Sequence, residues 1–490
     1  MQNVRFLILF TTILLLTSCA LTGKQSDSVK KGYMVSHMLP DTVSVLHNPC
    51  NGWSIYTDGY IPSSAEDYYR QMEECGALAY ASSLYIRLPW ALLEPEEGKY
   101  AWLYNESFKN LIKGARDRNL KLAFRVYYDN RDYRIPVSPR YLIDAGAEGY
   151  LSNTNIWSPY ADDPVFLSKL DKFLEAMGKE FNDPNITDYV DGCGLGTWGE
   201  GFNAVYKDKK NKDDVLFHVA RSYARSFSKV IVVINAHDDI GNPQLSELAE
   251  KDDYVFRHDA IGSKVWFQDT QSKLMMDYFP QHFTIAESMW WLSQGPNTSL
   301  YTNEEFKDWR EVMDFTFAES RRIRANLLDL RNVAEASALW MKQAKDLVDA
   351  FNTQAGYRLT PVQVSYPKTI RGKKEVVLTH TWHNSGWGVC PNNNAHWAYK
   401  YKVAFALLPV GSDTPVETVI DNASDPSQWL KEKDITYTLS TRFQAKPGTY
   451  RLAIAIVDKT QGNEPGLQLA VSDKETVGKG WVCIDNVTLK

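Results

Sequence analysis

Residues 189–201 read "YVDGCGLGTWGEG", with five glycines in the last eleven positions around one tryptophan and one glutamate. Two architectures compete for this stretch. Gly194 to Gly199, "GLGTWG", satisfies the G-x-G-x-x-G spacing of a dinucleotide-binding turn. Such a turn needs a helix opening at its third glycine and an acidic residue about 20 positions on, closing the next strand. The chain instead continues as "EGFNAVYKDKKNKDD", a polar loop without helical period, and the fingerprint fails on that context. The second architecture makes 189–198 a strand ending in Trp198, Gly199 and Glu200. Asp191, Cys193, Leu195 and Thr197 then share one face, and Gly192, Gly194 and Gly196 leave the other bare for a close neighbour.

The flanking sequence favours the strand. Apolar, β-branched or aromatic runs recur as "GWSIYT", "SSLYIRL", "KLAFRVYY", the glycine stretch, "KVIVVIN", "YVFRHD", "HFTIAES" and "ANLLDLR". Helical patterns separate them. Asp163-Pro164 reads as N-cap and first helical residue. Phe166, Leu170, Phe173, Leu174, Met177 and Phe181 then line one face. A last helix carries Val333, Ala336, Trp340, Met341, Ala344, Leu347, Val348 and Phe351, and stops before Gly356. Eight such alternations predict a (β/α)8 TIM barrel over 45–357. An open doubly wound sheet rarely keeps so regular an alternation through eight units. From 358 to 490 the helical period disappears. "KKEVVLTHTWHN", "WAYKYKVAFALLP", "DITYTLSTRF", "GTYRLAIAIVD" and "GWVCIDNVTL" predict an all-β C-terminal sandwich domain.

The first 19 residues have the composition of a secretory signal: Arg5, an apolar run from Phe6 to Leu16, then small residues. "LTSC" resembles the bacterial lipobox, which would make Cys19 the lipidated residue, with 20–44 as tether and lead-in. The expected location is the bacterial cell envelope, held by a lipid anchor. No later run of 18 apolar residues predicts a membrane span. The formal charge of −6 argues against a nucleic-acid partner. Five further cysteines (Cys50, Cys75, Cys193, Cys390, Cys483) form no C-x-x-C, and no histidine lies at ligand spacing from them. His237 and His258 are far apart and poor in companions, so neither a metal site nor a cofactor is expected.

Aromatic residues make up 13% of the chain, with 15 Trp, 27 Tyr and 20 Phe. They serve a large core or the flat faces that bind sugar rings. In barrel enzymes the chemistry sits at the C-terminal ends of the strands. Glu200 falls at such an end beside Trp198, where desolvation raises a carboxyl pKa towards general-acid duty. Glu287 ends strand seven, followed by Trp290 and Trp291. Two strand-end carboxylates across one mouth are what glycoside cleavage requires. Tyr128, Asp129, Asn203, Asn235, His237, Arg257 and Asp259 fall at other strand ends or in the loops after them, as candidates for binding sugar hydroxyls. "WHNSGWGVCPNNNAHW" (Trp382 to Trp397) reads either as a wall of the cleft or as a long structural turn.

These residues resemble the clan of retaining glycoside hydrolases with (β/α)8 barrels, which carry glutamates on strands four and seven. "YIRLPWALLEPEEGKYAW" (Tyr85 to Trp102) is similar to the second-strand stretch of β-galactosidase-like members. "NPCNGW" and "HNSGWG" resemble a branch of bacterial barrel lipoproteins. The resemblance implies Glu200 as acid/base, Glu287 as nucleophile and Arg87 as the cation that keeps Glu287 ionised. The clan commonly has Asn before the acid/base and Trp at the end of strand eight. Here Gly199 stands in the first place, and "ANLLDLRN" offers only Asp329, Arg331 and Asn332 in the second. The expected function is hydrolysis of a poly- or oligosaccharide. The alternatives are a non-catalytic carbohydrate-binding lipoprotein, or an inverting hydrolase with Asp259 or Asp129 as base.

Overall fold

The computed structural model describes residues 32–129, 135–152, 155–267, 269–290, 292, 295–296, 306–331 and 334–490. Cys19, Trp291, Asn332 and Val333 lie outside them. Eight parallel strands close into a barrel in chain order: Gly52–Asp58, Ala81–Pro89, Lys121–Tyr127, Thr187–Asp191, Ile231–Asn235, Val255–Ile261, Thr284–Ser288 and Leu327–Asp329. These are barrel strands one to eight, each inside or overlapping a run named above.

Strand alternation explains how the barrel is filled. Phe124, Val126 and Tyr128 on strand three and the turn beyond it face the helices, with Tyr128 packed on Phe166 at 4.6 Å. Ala123 faces inward with Tyr56, Tyr85, Tyr189, Ile231, Val233, Val255, Ile285 and Leu327. The next inward layer towards the mouth is charged and buried: Asp58, Arg87, Arg125, Asp191, Arg257 and Glu287. Outside, helix Pro164–Phe181 starts as expected, its N-cap Asp163 accepting from the Phe166 amide at 2.8 Å. It buries the six apolar residues named for it, each contributing about 1.5–3 kcal/mol of transfer free energy.

Two sequence expectations need correcting. Strand four ends at Asp191, and the glycine stretch after it is a loop. Gly194, Gly196, Trp198, Gly199 and Gly201 all have positive φ, a succession of left-handed bends that no extended strand makes. The last barrel helix is two, Ala334–Gln343 and Lys345–Gln354, broken at Ala344 where φ is −146°.

The C-terminal domain has a four-stranded antiparallel sheet ordered 33–37, 359–367, 376–384, 435–441. Tyr33–His37, expected in the lead-in, is therefore an edge strand of this domain. The second sheet runs 369–370, 481–489, 448–458, 401–409, 417–421, with 464–467 and 476–477 added to its sides. The five cysteines from Cys50 onward are free thiols. Among the described residues no helix is long and apolar enough to cross a membrane.

One apolar cluster runs from the inward barrel residues into the sandwich through Cys50, Tyr357, Val389, Cys390 and Trp397. The Trp382–Trp397 loop makes this junction. Trp387 donates to Ala325 O (2.9 Å), Asn393 to Gln281 O (2.8 Å) and Asn394 to Asp253 O (3.3 Å). All three acceptors precede barrel strands, so the loop closes the N-terminal end and is no wall of the mouth. Asn326 ties the junction: its amide donates to Cys50 O (3.1 Å) and Val389 O (2.8 Å) and accepts from Val389 N (3.2 Å). Asn326→Ala strands three buried backbone groups. The expected loss is about 3 kcal/mol, read as a lower urea midpoint of the full chain.

Candidate active site

The loop after strand four is what delivers Glu200. The amide of Thr197 donates to Phe202 O (2.7 Å), that of Trp198 to Asp129 O (2.9 Å) and that of Gly201 to Leu195 O (2.9 Å). A Cβ on Gly196, at φ +68°, would sit 2.4 Å from Phe202 O, so this turn closes only around glycine. Gly192 has the close neighbour expected of it, because Tyr254 donates to its carbonyl at 3.1 Å. The glycines therefore turn the backbone and admit neighbours. They do not form the bare face of a strand.

Glu200 and Glu287 are 4% and 5% exposed and are joined by one guanidinium. Arg125, on strand three, donates through Nη1 to Glu200 Oε1 (2.8 Å) and through Nη2 to Glu287 Oε1 (3.0 Å). Arg257 donates to Asp191 and to Glu287 Oε2 (3.1 Å). Arg87 pairs with Asp58 (3.2 Å) and stands 3.6 Å from Glu287 and 3.8 Å from Glu200. Hydrogen bonds to Glu287 thus come from Arg125 and Arg257, while Arg87 adds charge at longer range.

Asp259 lies beside Glu200, close enough that each carboxyl shifts the other's ionisation. Asn235 holds both ends of this contact, its amide donating to Glu200 O (3.2 Å) and Asp259 Oδ1 (3.1 Å). Burial and the Asp259 carboxylate push the Glu200 carboxyl well above its usual range, against Arg125 and Arg87. Burial also acts on Glu287, but Arg125, Arg257 and Arg87 outweigh it and hold that carboxyl low. Burial likewise opposes ionisation of Asp259, yet its contact with Glu200 and the Arg257 charge keep it low. His258 itself is pushed down to about 4 by burial and is neutral. The two carboxyls are thus pushed in opposite directions, Glu200 towards the acid form and Glu287 towards the anion, the division of labour that acid–nucleophile pairs use.

The structure brings together Glu200, Glu287, Arg87, Arg257, Asp259 and Asn235. Trp198 is partly buried near the same loop, stacked on Phe202 at 6.2 Å, and Phe202 contacts His237 at 5.2 Å. Asp129 accepts from Tyr150 and from Ser158 (3.1 Å) and braces the loop. Asn203 is exposed, its amide nitrogen bonded to Asp239 (2.8 Å). Two candidates leave the site. Tyr128 faces the helix layer, and so does Trp290, buried against Trp309 (5.2 Å) and Trp340 (6.1 Å). Strand period puts Tyr128 out of phase with Arg125 and Asp129. Sequence reasoning missed Arg125, although its inward phase with Tyr127 and Asp129 was a readable signal.

No family model matches the sequence, and no curated protein matches it. Among solved structures, endo-glycoceramidase II from Rhodococcus sp. aligns at 12% identity and TM-score 0.40, over 82% of this chain and all of that one (100%). An endogalactoceramidase aligns at 9% identity and TM-score 0.38, over 70% of this chain and 91% of that one. A broad-specificity endoglucanase from an uncultured bacterium aligns at 11% identity and TM-score 0.38, over 64% and 96%. Such scores assign neither function nor residues.

The two glutamates have opposite effects on folding. Between the ordinary glutamate value and the raised Glu200 value, the folded chain keeps a proton that the unfolded chain has lost. Stability therefore falls as pH rises through that window. Glu287 is depressed when folded, so its contribution is present above the ordinary value and is lost on acidification. Gln at 200 reproduces the protonated acid, accepting from Arg125 and donating to Asp259. Glu200→Gln is expected to melt higher than wild type at about pH 8 and to converge with it near about pH 4. Thermal midpoints across pH measure this.

Proposed function

We propose that the chain is a retaining glycoside hydrolase acting on a poly- or oligosaccharide. The observation that carries this is the single Arg125 guanidinium spanning Glu200 and Glu287 at a barrel mouth, with their surroundings raising the one carboxyl and lowering the other. Two acceptors on the terminal nitrogens of one guanidinium are close neighbours, in keeping with the roughly 5–5.5 Å carboxyl separation of retaining enzymes. Glu200 protonates the leaving oxygen as the bond to the anomeric carbon breaks, and Glu287 attacks that carbon to form a glycosyl-enzyme. Glu200, now ionised, takes a proton from water, whose oxygen displaces Glu287.

The inverting alternative loses support. Its base must stand about 6.5–9.5 Å from the acid with water between them. Asp259 instead touches Glu200, and Asp129 is engaged by Tyr150 and Ser158. Trp198 with Phe202 and His237, and Trp266, 44% exposed on the loop after strand six, offer ring faces for sugar stacking. Lipidation at Cys19 and residence at the cell envelope belong to the same reading and rest on "LTSC" and the apolar run before it.

Aryl glycosides of the common hexoses and pentoses, followed by NMR, test the reaction and its stereochemistry. Retained anomeric configuration is expected. Glu287→Ala should fall to background with unchanged circular dichroism. Glu200→Ala should slow hydrolysis of poor leaving groups by about 10²–10⁴-fold. Sugar binding by calorimetry without product from wild type would transfer the conclusion to a carbohydrate-binding protein.

A further inference from the structure

Asp259 does work that neither sugar binding nor the acid–nucleophile pair requires of it. It lies on strand six with its side chain about one-fifth exposed (20%), yet its bonds run inward, to Asn235 and Glu200. The Asn235 amide donates to Asp259 Oδ1, which favours the anion. The same amide binds the carbonyl of Glu200, so one side chain sets the distance between strand six and the glycine loop. Arg125 donates to Glu200 Oε1, so that oxygen is an acceptor and the proton belongs on the other one, towards Asp259.

We propose that Asp259 is a positioning residue that keeps the Glu200 proton in place and makes the ionised Glu200 a strong base in the second half of the cycle. This rests on reading Glu200 as the acid. In the first half-reaction the proton passes from Glu200 to the leaving oxygen, which also receives the electron pair of the broken glycosidic bond. Two carboxylates then face each other in a buried space. Their repulsion is relieved when Glu200 takes a proton from water as the water oxygen bonds the anomeric carbon and the pair of the ester bond returns to Glu287. Asp259 remains ionised throughout.

The charged neighbours are consistent with this order. Glu200 is faced by Asp259 from strand six, Arg125 from strand three and Arg87 from strand two, with Glu287 across Arg125. The Cys193 thiol on its own loop is pushed up to about 12 by burial and stays neutral. Asp259 is faced by Glu200, by His258 and Arg257 of its own strand and by His237 beyond strand five.

The test reads protonation directly and needs no substrate. Infrared spectra of the full chain across pH should contain a protonated-carboxyl band at neutral pH that Glu200→Gln removes. In Asp259→Asn, and in Asp259→Ser as a second variant that also lacks the charge, that band should disappear at a pH lower by about one or more. An unchanged titration in both variants, or a neutral-pH band that Glu200→Gln leaves at full intensity, overturns the proposal; the buried Asp188 carboxyl, raised to about 6, accounts for a weak remainder. An inactive wild type with the expected spectra would count against the hydrolase and leave the proton pair standing.

Discussion

The site is organised by the Arg125 guanidinium. An unpaired cation at 0% side-chain exposure would cost several kcal/mol, so its position requires partners at close range. Glu200 and Glu287 are those partners, and each is costly to bury without it. The three groups are therefore stable only together. Beneath them the tyrosines of strands one, two and four pack with tilted rings, Tyr56 to Tyr85 at 5.6 Å and Tyr85 to Tyr189 at 5.8 Å. Arg125 lies over the Tyr85 ring at 5.6 Å, and Arg331 over Tyr56 at 5.8 Å. These faces attract the cations and keep water from beneath the carboxylates. Low polarisability below and fixed charges around them separate the two glutamates into an acid and an anion. Glu287 sees three arginines, whereas Glu200 sees two and a carboxylate.

That charged layer is tolerable because the barrel is secured elsewhere. The sandwich presses its Trp382–Trp397 loop against the N-terminal ends of the strands and continues the apolar interior without a break. Asn326, Trp387, Asn393 and Asn394 satisfy backbone groups that a barrel bottom otherwise leaves to water. Stability is thus concentrated at the end where no chemistry is proposed, and the mouth accommodates buried charge, tight positive-φ turns and a tryptophan at φ +57°.

What the sequence disclosed depends on the range of the forces involved. The eight barrel strands were legible because parallel strands covered on both faces are nearly continuous apolar runs. The places of Glu200 and Glu287 near the mouth were legible, the one after a strand run and the other inside the end of one. The turns of the glycine loop were not, because alternating glycines satisfy strand periodicity as well as a chain of left-handed bends. Tyr33–His37 was read as lead-in since its partner, 363–367, lies beyond the whole barrel. The side of the barrel that the Trp382–Trp397 loop covers depends on contacts of the same long range. Arg125 is the instructive omission: an arginine in the middle of a buried strand demands a buried carboxylate, and that demand was readable without coordinates.

The departure at Gly199 acquires a reason from this geometry. Its φ is +74°, and a Cβ there would lie 3.1 Å from Tyr127 Cβ and 3.2 Å from Val126 O. A larger residue in that place would press on strand three, two residues from Arg125, and shift the cation that both glutamates share. The asparagine that the resemblance leads one to expect there would have to push strand three aside by a few tenths of an ångström. The polar work beside the acid passes to Asn235, whose amide is already occupied by Glu200 and Asp259. The pocket accordingly commits its buried polar groups to fixing charge and proton. In the proposed hydrolase, discrimination between sugars would then fall to the rim, where Trp198, Phe202 and His237 gather and offer ring faces for stacking.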